Sequence, residues 1–375
     1  MAKNNILGFS IVKEVIMKVV LNYAEQKALN NAKNMFKSTA KFLDQPALVK
    51  KLHQVFPLAL ASGAVAYGLY DTHMAPDTEK KDSFIKNTCV LSATVLSALV
   101  ATRGLKIGNK QIFEGLIELP HLHLNEINST IEKISDTAVL SLVKKAKNGE
   151  ILSVNQITKL STYLDKSYPD QKLIDTIVPP PHLHKPFSEL KQLSLLGLFP
   201  VLGGIVGGIG ADKLISPDWK KNIPNKIKEG TYQYLNNIFL CNVGAGAALM
   251  LMNKYNVKSK PVRFFGMLGG VIGVGLVAGS AISNFVSKNF LTPLFAKKNN
   301  EVVEEQSFAD RFKNLNEERH PEAVDLCLHV DDLASVGFLN GIKWVAPVLP
   351  LFYSVSGYRA GVGYRNHSHS HSTNS

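Results

Sequence analysis

The stretch FFGMLGGVIGVGLVAGSAISNFVS, residues Phe264–Ser287, contains no Asp, Glu, Lys or Arg. A helix rises 1.5 Å per residue, so this stretch reaches about 36 Å, more than the roughly 30 Å hydrocarbon core of a bilayer. Buried helices of soluble proteins are seldom uncharged over such a length. The stretch therefore predicts a membrane-spanning helix.

Five further stretches also lack these charged residues. They are Leu52–Tyr70, Asn87–Thr102, Gln192–Ala211, Gly230–Asn253 and Trp344–Tyr358. Two of the five are long enough to cross unaided, and the shorter three need flanking polar residues that reach the interface. We predict an all-α polytopic membrane helix bundle of about six spans, with four as the minimum. A soluble protein that inserts Gly-rich hairpins into membranes is the alternative.

The predicted boundaries follow from these stretches. Residues 1–51 form an N-terminal amphipathic region, 52–102 a first membrane hairpin, 103–191 a cytoplasmic helical insertion, 192–253 a second hairpin, 254–287 a fifth span, 288–343 an acidic loop, 344–358 a sixth span and 359–375 a tail rich in His and Ser.

The charge distribution predicts the topology. The 375 residues carry a net charge of +12, and the mean hydropathy is only +0.03 because apolar stretches are averaged with polar loops. If six spans alternate, the loops on the side of the termini sum to +14 and the others to −2. The positive-inside rule then places both termini in the cytoplasm. The basic side would meet anionic lipid head groups, and we expect no nucleic-acid partner.

Small residues recur at four-residue spacing inside the apolar stretches, which lets membrane helices approach closely. The spacing predicts helix packing, within one chain or in a homo-oligomer. The glycines concerned are Gly203, Gly204, Gly207, Gly208, Gly266, Gly269, Gly270, Gly273, Gly275 and Gly279.

The insertion contains two predicted helices. Glu126–Lys147 and Ser153–Ile177 are separated by Asn148-Gly149, and Pro169 bends or ends the second helix. In the acidic loop, the region around Glu304–Glu318 is also expected to be helical.

Histidine supplies the one pattern typical of a metal site. His121 and His123, like His182 and His184, are two residues apart, so in an extended segment each pair faces one way. Four imidazoles would suit zinc or another divalent cation. The alternative is duplicated interfacial loop sequence without metal. For a second cluster, Cys327, His329, Asp331 and Asp332, we favour a solvated loop with a helix cap.

No enzyme signature is present. The glycines of Gly203–Gly210 are not followed by Lys-Ser or Lys-Thr, and the chain contains neither GxSxG nor HExxH. We therefore expect no catalytic residues and, metal apart, no cofactor. Lys343 beside Trp344 is interpreted as an interfacial anchor.

Two functions stay open at this point. The first is a non-catalytic membrane protein for envelope organisation or self-association through glycine-faced helices. The second is a transporter or channel, with a divalent cation as one candidate substrate. The first is preferred because no predicted span carries a carboxylate or His that would bind an ion midway.

Overall fold

A computed structural model describes residues 34–35, 37–117, 124–169, 173–178, 186–257, 259–298 and 330–363. The chain divides into two compact units. Unit 1 comprises Met1–Lys50 and Pro120–Pro180, and unit 2 comprises Lys51–Leu119 and Pro181–Ser375.

Unit 1 is a small helical domain with its own apolar core. Its helices are α1 (residues 37–44), α4 (Leu124–Lys133), α5 (Thr137–Lys147), α6 (Val154–Ser167) and α7 (Ile174–Ile177), together with the first turn of α2 (Pro46–Met74). The core contains Ile127, Val143, Ile157, Leu160 and Ile177. Within one helix the core residues recur three or four positions apart, as Ile157, Leu160 and Leu164 do in α6, so each helix turns one apolar face inward.

Local capping explains where the helices of unit 1 begin. The Asp136 carboxylate accepts hydrogen bonds from the backbone N–H groups of Ala138 and Val139. This cap divides the predicted helix Glu126–Lys147 into α4 and α5. Ser153 and Gln156 form a reciprocal capping box at the start of α6. The predicted helix Ser153–Ile177 is likewise wrong in length, because α6 ends at Ser167.

The side chain of Gln45 joins two segments of unit 1. Its Oε1 accepts from the Leu152 backbone N–H at 2.8 Å, and its Nε2 donates to the Leu152 carbonyl at 2.9 Å. The residue is 4% exposed. It therefore satisfies backbone groups that burial would otherwise leave without partners.

Among the described residues, five helices are long and apolar enough to cross a membrane, and apart from the first turn of α2 they lie in unit 2. They are Pro46–Met74, Lys80–Arg103, Ser188–Ile215, Trp219–Lys254 and Pro261–Ala296. We label them α2, α3 (Lys80–Arg103), α8 (Pro186–Ile215), α9 (Trp219–Lys254) and α10, whose consecutive segments run from Lys260–Gly270 to Thr292–Lys298. Two shorter helices complete the unit, α11 (Val330–Leu339) and α12 (Leu349–Val362).

Wide π-helical turns interrupt the last two spans. They comprise Leu235–Phe239 in α9, and Val271–Ala278 and Ser287–Leu291 in α10. Such a turn fits an extra residue into the helix and rotates the side chains that follow it. The apolar sequence of these spans gives no sign of the interruptions.

One β-hairpin departs from the all-α prediction. Strands β1 (Gly104–Ile107) and β2 (Lys110–Glu114) pair antiparallel directly after α3. They are joined by Gly108-Asn109, and Gly108 has a positive φ of 58°. Turns of this kind favour Gly and Asn because left-handed backbone is strained for other residues.

The sixth predicted span, Trp344–Tyr358, is not among the candidate spans of the described residues. Its helix, α12, has 14 residues and a length of about 21 Å at 1.5 Å per residue, too short to cross. A Cβ added to Gly204 would meet the Gly357 carbonyl, and one added to Gly208 would meet that of Gly361. From Gly204 to Gly208 on α8 the contact moves from Gly357 to Gly361 on α12, four residues forward on each helix. The two helices are therefore parallel, whereas the third and sixth of six alternating spans would be antiparallel.

Among its described residues, the predicted acidic loop 288–343 contains the end of α10 and all of α11. His53 and Tyr358 contact opposite ends of α3: Arg103 donates to the His53 carbonyl at 2.8 Å, while the Tyr358 hydroxyl donates to Asn87 at 2.8 Å. The cytoplasmic placement of the termini, and of the insertion, stays a prediction.

Unit 2 has the surface of a membrane protein. Large apolar side chains face outward, including Leu58 at 71%, Val206 at 67% and Phe265 at 68% exposure. With five candidate spans, this surface is typical of a multi-pass membrane protein.

Candidate polar site inside the helical bundle

The predicted metal ligands lie outside the described residues. This applies to His121, His123, His182 and His184. Cys327 and His329, for which we favour a loop rather than a metal site, also lie outside the described residues. Within the described ranges, no group of three or more His, Cys, Asp or Glu side chains has metal-binding geometry. The histidine site therefore stays a prediction.

The predicted packing glycines of α8 contact two different helices. A Cβ on Gly207 would lie 2.6 Å from the Cys89 carbonyl oxygen of α3, and one on Gly203 would lie at the same distance from the Ala93 carbonyl oxygen. Gly204 and Gly208 lie against backbone of α12. Because real Cβ atoms do not come so close, α8 can occupy this place only with glycine at these positions.

The glycines of α10 divide differently. Gly266, Gly270, Gly275 and Gly279 lie against α9, facing Met252, Gly244, Cys241 and Asn236 in turn. In the part of the chain that the structure describes, nothing lies within 4 Å of a Cβ built on Gly269 or Gly273. Described residues therefore leave this face of α10 uncovered at both glycines.

A row of hydrogen-bonded polar side chains lies on the buried face of α9, and we call it the polar file. The Gln233 amide donates to Glu229 Oε1 at 2.8 Å, and the Asn237 amide donates to Gln233 Oε1 at 2.8 Å. All three residues are 0% exposed. They are four positions apart, which places them in line on one face of the helix.

The π-helical turn extends this file. Asn236 and Asn237 are both buried, at 3% and 0% exposure, and the Asn236 amide donates to Asn237 Oδ1 at 2.6 Å. Consecutive residues of a regular helix point about 100° apart, and the wide turn lets both face inward. The Cys241 thiol then donates to the Asn236 carbonyl at 3.2 Å. From Glu229 to Cys241 the axial distance is about 18 Å at 1.5 Å per residue.

Helix α10 adds polar side chains from the opposite wall. The residues concerned are Ser280, Ser283, Asn284 and Ser287, with exposures of 7%, 1%, 1% and 2%. The Tyr232 hydroxyl of α9 donates to Ser280 Oγ at 3.4 Å. The polar file is therefore lined from both helices.

Two carboxylates lie beside the far end of the file. Asp331 and Asp332 occupy the first turn of α11 and are 1% and 3% exposed. The side chains of Asp332 and Cys241 are within hydrogen-bonding reach of one another. Our interpretation of these aspartates as a solvated loop is therefore wrong. Burial raises the pKa of Asp331 well above its usual value, and the neighbouring Asp332 carboxylate raises it further.

A buried ion pair lies near the other end of the bundle. Lys226 Nζ of α9 is 3.2 Å from Asp212 Oδ2 of α8 and donates to the Gly361 carbonyl at 2.7 Å. Lys226 is 2% and Asp212 is 6% exposed. Asp212 is thus enclosed by protein.

Two apolar grooves flank α2. One, of about 520 Å³, lies between α2 and α3 and is lined mainly by Ala, Val and Leu. The other, of about 480 Å³, also includes Tyr67, Tyr358 and Arg359. Neither groove is lined by residues of the polar file.

Sequence reasoning missed the polar file because Glu229 marked the edge of an uncharged stretch. A search for polar residues four positions apart would have identified Glu229, Gln233 and Asn237. The inward rotation of Asn236 has no such signal, since it depends on the π-helical turn.

The fold and the site define a multi-pass helical membrane protein with ionisable groups in its interior. No protein-family model matches the chain, and comparisons with curated proteins and with solved structures find no match either. The function is therefore argued from the geometry alone.

Proposed function

We propose that this protein moves cations through its helical bundle along the polar file of α9. One observation carries the proposal: Glu229, inside a candidate span and 0% exposed, heads a chain of hydrogen-bonded side chains that leads toward Asp331 and Asp332. The sequence analysis favours a non-catalytic organiser because no predicted span carries a carboxylate or His that would bind an ion midway. Burial of Glu229 removes that reason.

The Glu229 carboxylate is costly to keep charged inside a membrane. A charged side chain at the centre of a bilayer costs about 2.5–3.5 kcal/mol on insertion scales, and such residues commonly mark ion pathways. Hydrogen bonds between membrane helices contribute only about 0.6 kcal/mol on average. A Gln at position 229 would supply similar hydrogen bonds without the charge. The carboxylate of Glu229 is the group that a cation pathway through the bundle would use.

The chemistry of the file suits cations. Glu229, Gln233 and Asn237 present carboxylate and amide oxygens, and the serines of α10 add hydroxyl oxygens. Hard cations are bound by oxygen ligands of these kinds. A divalent cation delivered by the predicted histidine site is one version of this proposal.

Flux measurements on the full chain in proteoliposomes test the proposal. We expect Glu229→Gln to reduce cation flux at least tenfold, with protons, Na⁺, K⁺, Mg²⁺ and Zn²⁺ offered separately. Asp218→Asn is the matched control, because Asp218 is 67% exposed and forms a surface pair with Lys221. Flux in wild type and control, with loss in Glu229→Gln at unchanged thermal stability, supports the proposal. Absence of flux for every cation in folded wild type contradicts it.

Self-association is a second candidate function, favoured by the open face of α10. Among the described residues, Gly269 and Gly273 have no neighbour, and Phe265 and Ile272 on the same helix are 68% and 50% exposed. Small residues four apart commonly bring membrane helices into close contact. Substitution of both glycines by Leu is expected to abolish a dimer measured by light scattering in detergent. A wild-type protein that is monomeric in lipid nanodiscs would contradict this second proposal.

A further inference from the structure

The Asp331 side chain has no hydrogen-bond partner of ordinary geometry in the part of the chain that the structure describes. Both carboxylate oxygens are buried without one, and the residue is 1% exposed. An ionised carboxylate in such a place would lose its hydration, with only the backbone N–H groups of Asp331 and Asp332 close enough to replace part of it. A neutral carboxylic acid costs much less to bury.

Among the described side chains, the groups that face Asp331 do not offset a negative charge. On α11 the neighbour is Asp332, which is itself acidic and 3% exposed. From the helices packed against α11, the facing titratable groups are the Cys241 thiol of α9 and the Tyr353 hydroxyl of α12, which bonds Ser335 at 3.0 Å. A thiol and a phenol are neutral when protonated and negative when deprotonated, so neither can balance a carboxylate charge. No Lys or Arg side chain that the structure describes shifts the pKa of Asp331.

Two adjacent buried carboxyl groups cannot both ionise at low cost. In carboxyl pairs of this kind, one group keeps its proton well above the usual range. We infer that Asp331 and Asp332 together hold a proton at neutral pH, and that the proton is the cation moved along the polar file. The second part of this inference rests on the proposed function.

The step is simple in chemical terms. A proton from water on one side forms an O–H bond with a carboxylate oxygen, and the same bond breaks when the proton leaves to the other side. No oxidant, reductant or further reactant is needed. The amides of Gln233 and Asn237 do not ionise, so the proton-accepting groups lie at the two ends of the file: Glu229 at one end and the pair Asp331–Asp332 at the other.

Infrared spectroscopy of the full chain in lipid tests for the proton directly. We expect wild type at pH 7 to show the C=O stretch of a protonated carboxyl group, shifted in D₂O and lost or reduced at least twofold in Asp331→Asn. The band must persist in Asp77→Asn, because Asp77 is 91% exposed and paired with Lys80. A band absent from wild type, or unchanged in Asp331→Asn and Asp332→Asn alike, overturns the inference.

Flux separates this inference from the proposed function. Proton flux that falls at least tenfold in Asp331→Asn, with the band lost, supports both. Flux of Na⁺ or K⁺ without proton movement overturns the assignment of the proton and leaves cation transport standing. A band at pH 7 with no flux of any cation keeps the protonated pair and overturns the transport role.

Discussion

The two units of this chain differ in the residues that they bury and expose: unit 1 buries apolar side chains, and unit 2 buries polar ones while apolar side chains face outward. Unit 1 buries Ile157 and Leu160 at 0% exposure and exposes charged residues such as Lys144. Unit 2 exposes Val65 at 62% and Phe265 at 68%, while Glu229 and Gln233 are 0% exposed. The same chain thus follows two opposite rules for what belongs inside.

The difference indicates two different solvents. In water, folding is driven by removal of apolar surface, and unit 1 follows that rule. In lipid the exterior is as apolar as any core, so association depends on close packing and on polar contacts inside the bundle. The glycine contacts of α8 and the polar file of α9 are the forms that these two forces take here.

The largest expected effect comes from the interior ion pair of unit 2. Asp212→Ala leaves Lys226, 2% exposed, without its carboxylate. Removal of one partner of a buried pair costs about 3–5 kcal/mol. Denaturation in mixed micelles is the measurement. Asp218→Ala, which removes an exposed pair with Lys221, should cost less than about 1 kcal/mol. Equal costs for the two variants would contradict the enclosed position of Lys226.

A large effect is also expected in the apolar core of unit 1. Leu160→Ala removes a side chain that is 0% exposed, which costs about 2–5 kcal/mol. Hydrogen exchange on the full chain should show the loss of protection in residues 124–167. The control is Leu124→Ala, since Leu124 is 51% exposed and should change little. Protection unchanged in Leu160→Ala would show that this core does not stabilise unit 1.

Overpacking in unit 2 is expected to have a smaller effect. Gly204→Val places side-chain atoms against the Gly357 carbonyl, and overpacking of this kind costs about 1–3 kcal/mol. Gly210→Val is the matched control on the same helix, because nothing lies within 4 Å of a Cβ at Gly210. Thermal unfolding in detergent compares the two. If Gly210→Val lowers the stability of the protein more than Gly204→Val does, the contact between α8 and α12 is wrong.

The smallest effect concerns a helix cap of unit 1. Ser153→Ala removes the acceptor for the Gln156 backbone N–H, and loss of such a cap costs about 1 kcal/mol. Exchange rates at the start of α6 should rise by roughly fivefold, as 1 kcal/mol implies. Ser129→Ala on the exposed side of α4 serves as control, because Ser129 bonds only within its own helix turn. Equal rates in the two variants would argue against the cap.

Much of the helical architecture could be predicted, because uncharged length alone identifies a span. Phe264–Ser287 and four of the five other stretches lie inside the candidate spans. Trp344–Tyr358 shows the limit of that criterion. Its apolar residues pack against α8 inside the bundle, and composition does not distinguish such burial from exposure to lipid.

The candidate site was less predictable, because it depends on which side chains point into the bundle rather than on composition. Asp331 and Asp332 follow an acidic segment and resemble solvated residues in the sequence. Their burial is set by contacts of α11 with helices distant in the chain. Glu229 is four positions from Gln233, a pattern visible in the sequence, but its depth inside α9 follows only from the packing of α8, α10 and α12.

We expect unit 1 to be in contact with water and the outer face of unit 2 to be in contact with lipid. Spin labels on the full chain in liposomes test this directly, at Val65 and Phe265 of unit 2 and at Lys144 of unit 1. We expect the first two to be relaxed by oxygen, which concentrates in lipid, and to be protected from a water-soluble nickel chelate. Lys144 should show the reverse. Strong relaxation of Val65 and Phe265 by the nickel chelate would contradict the account.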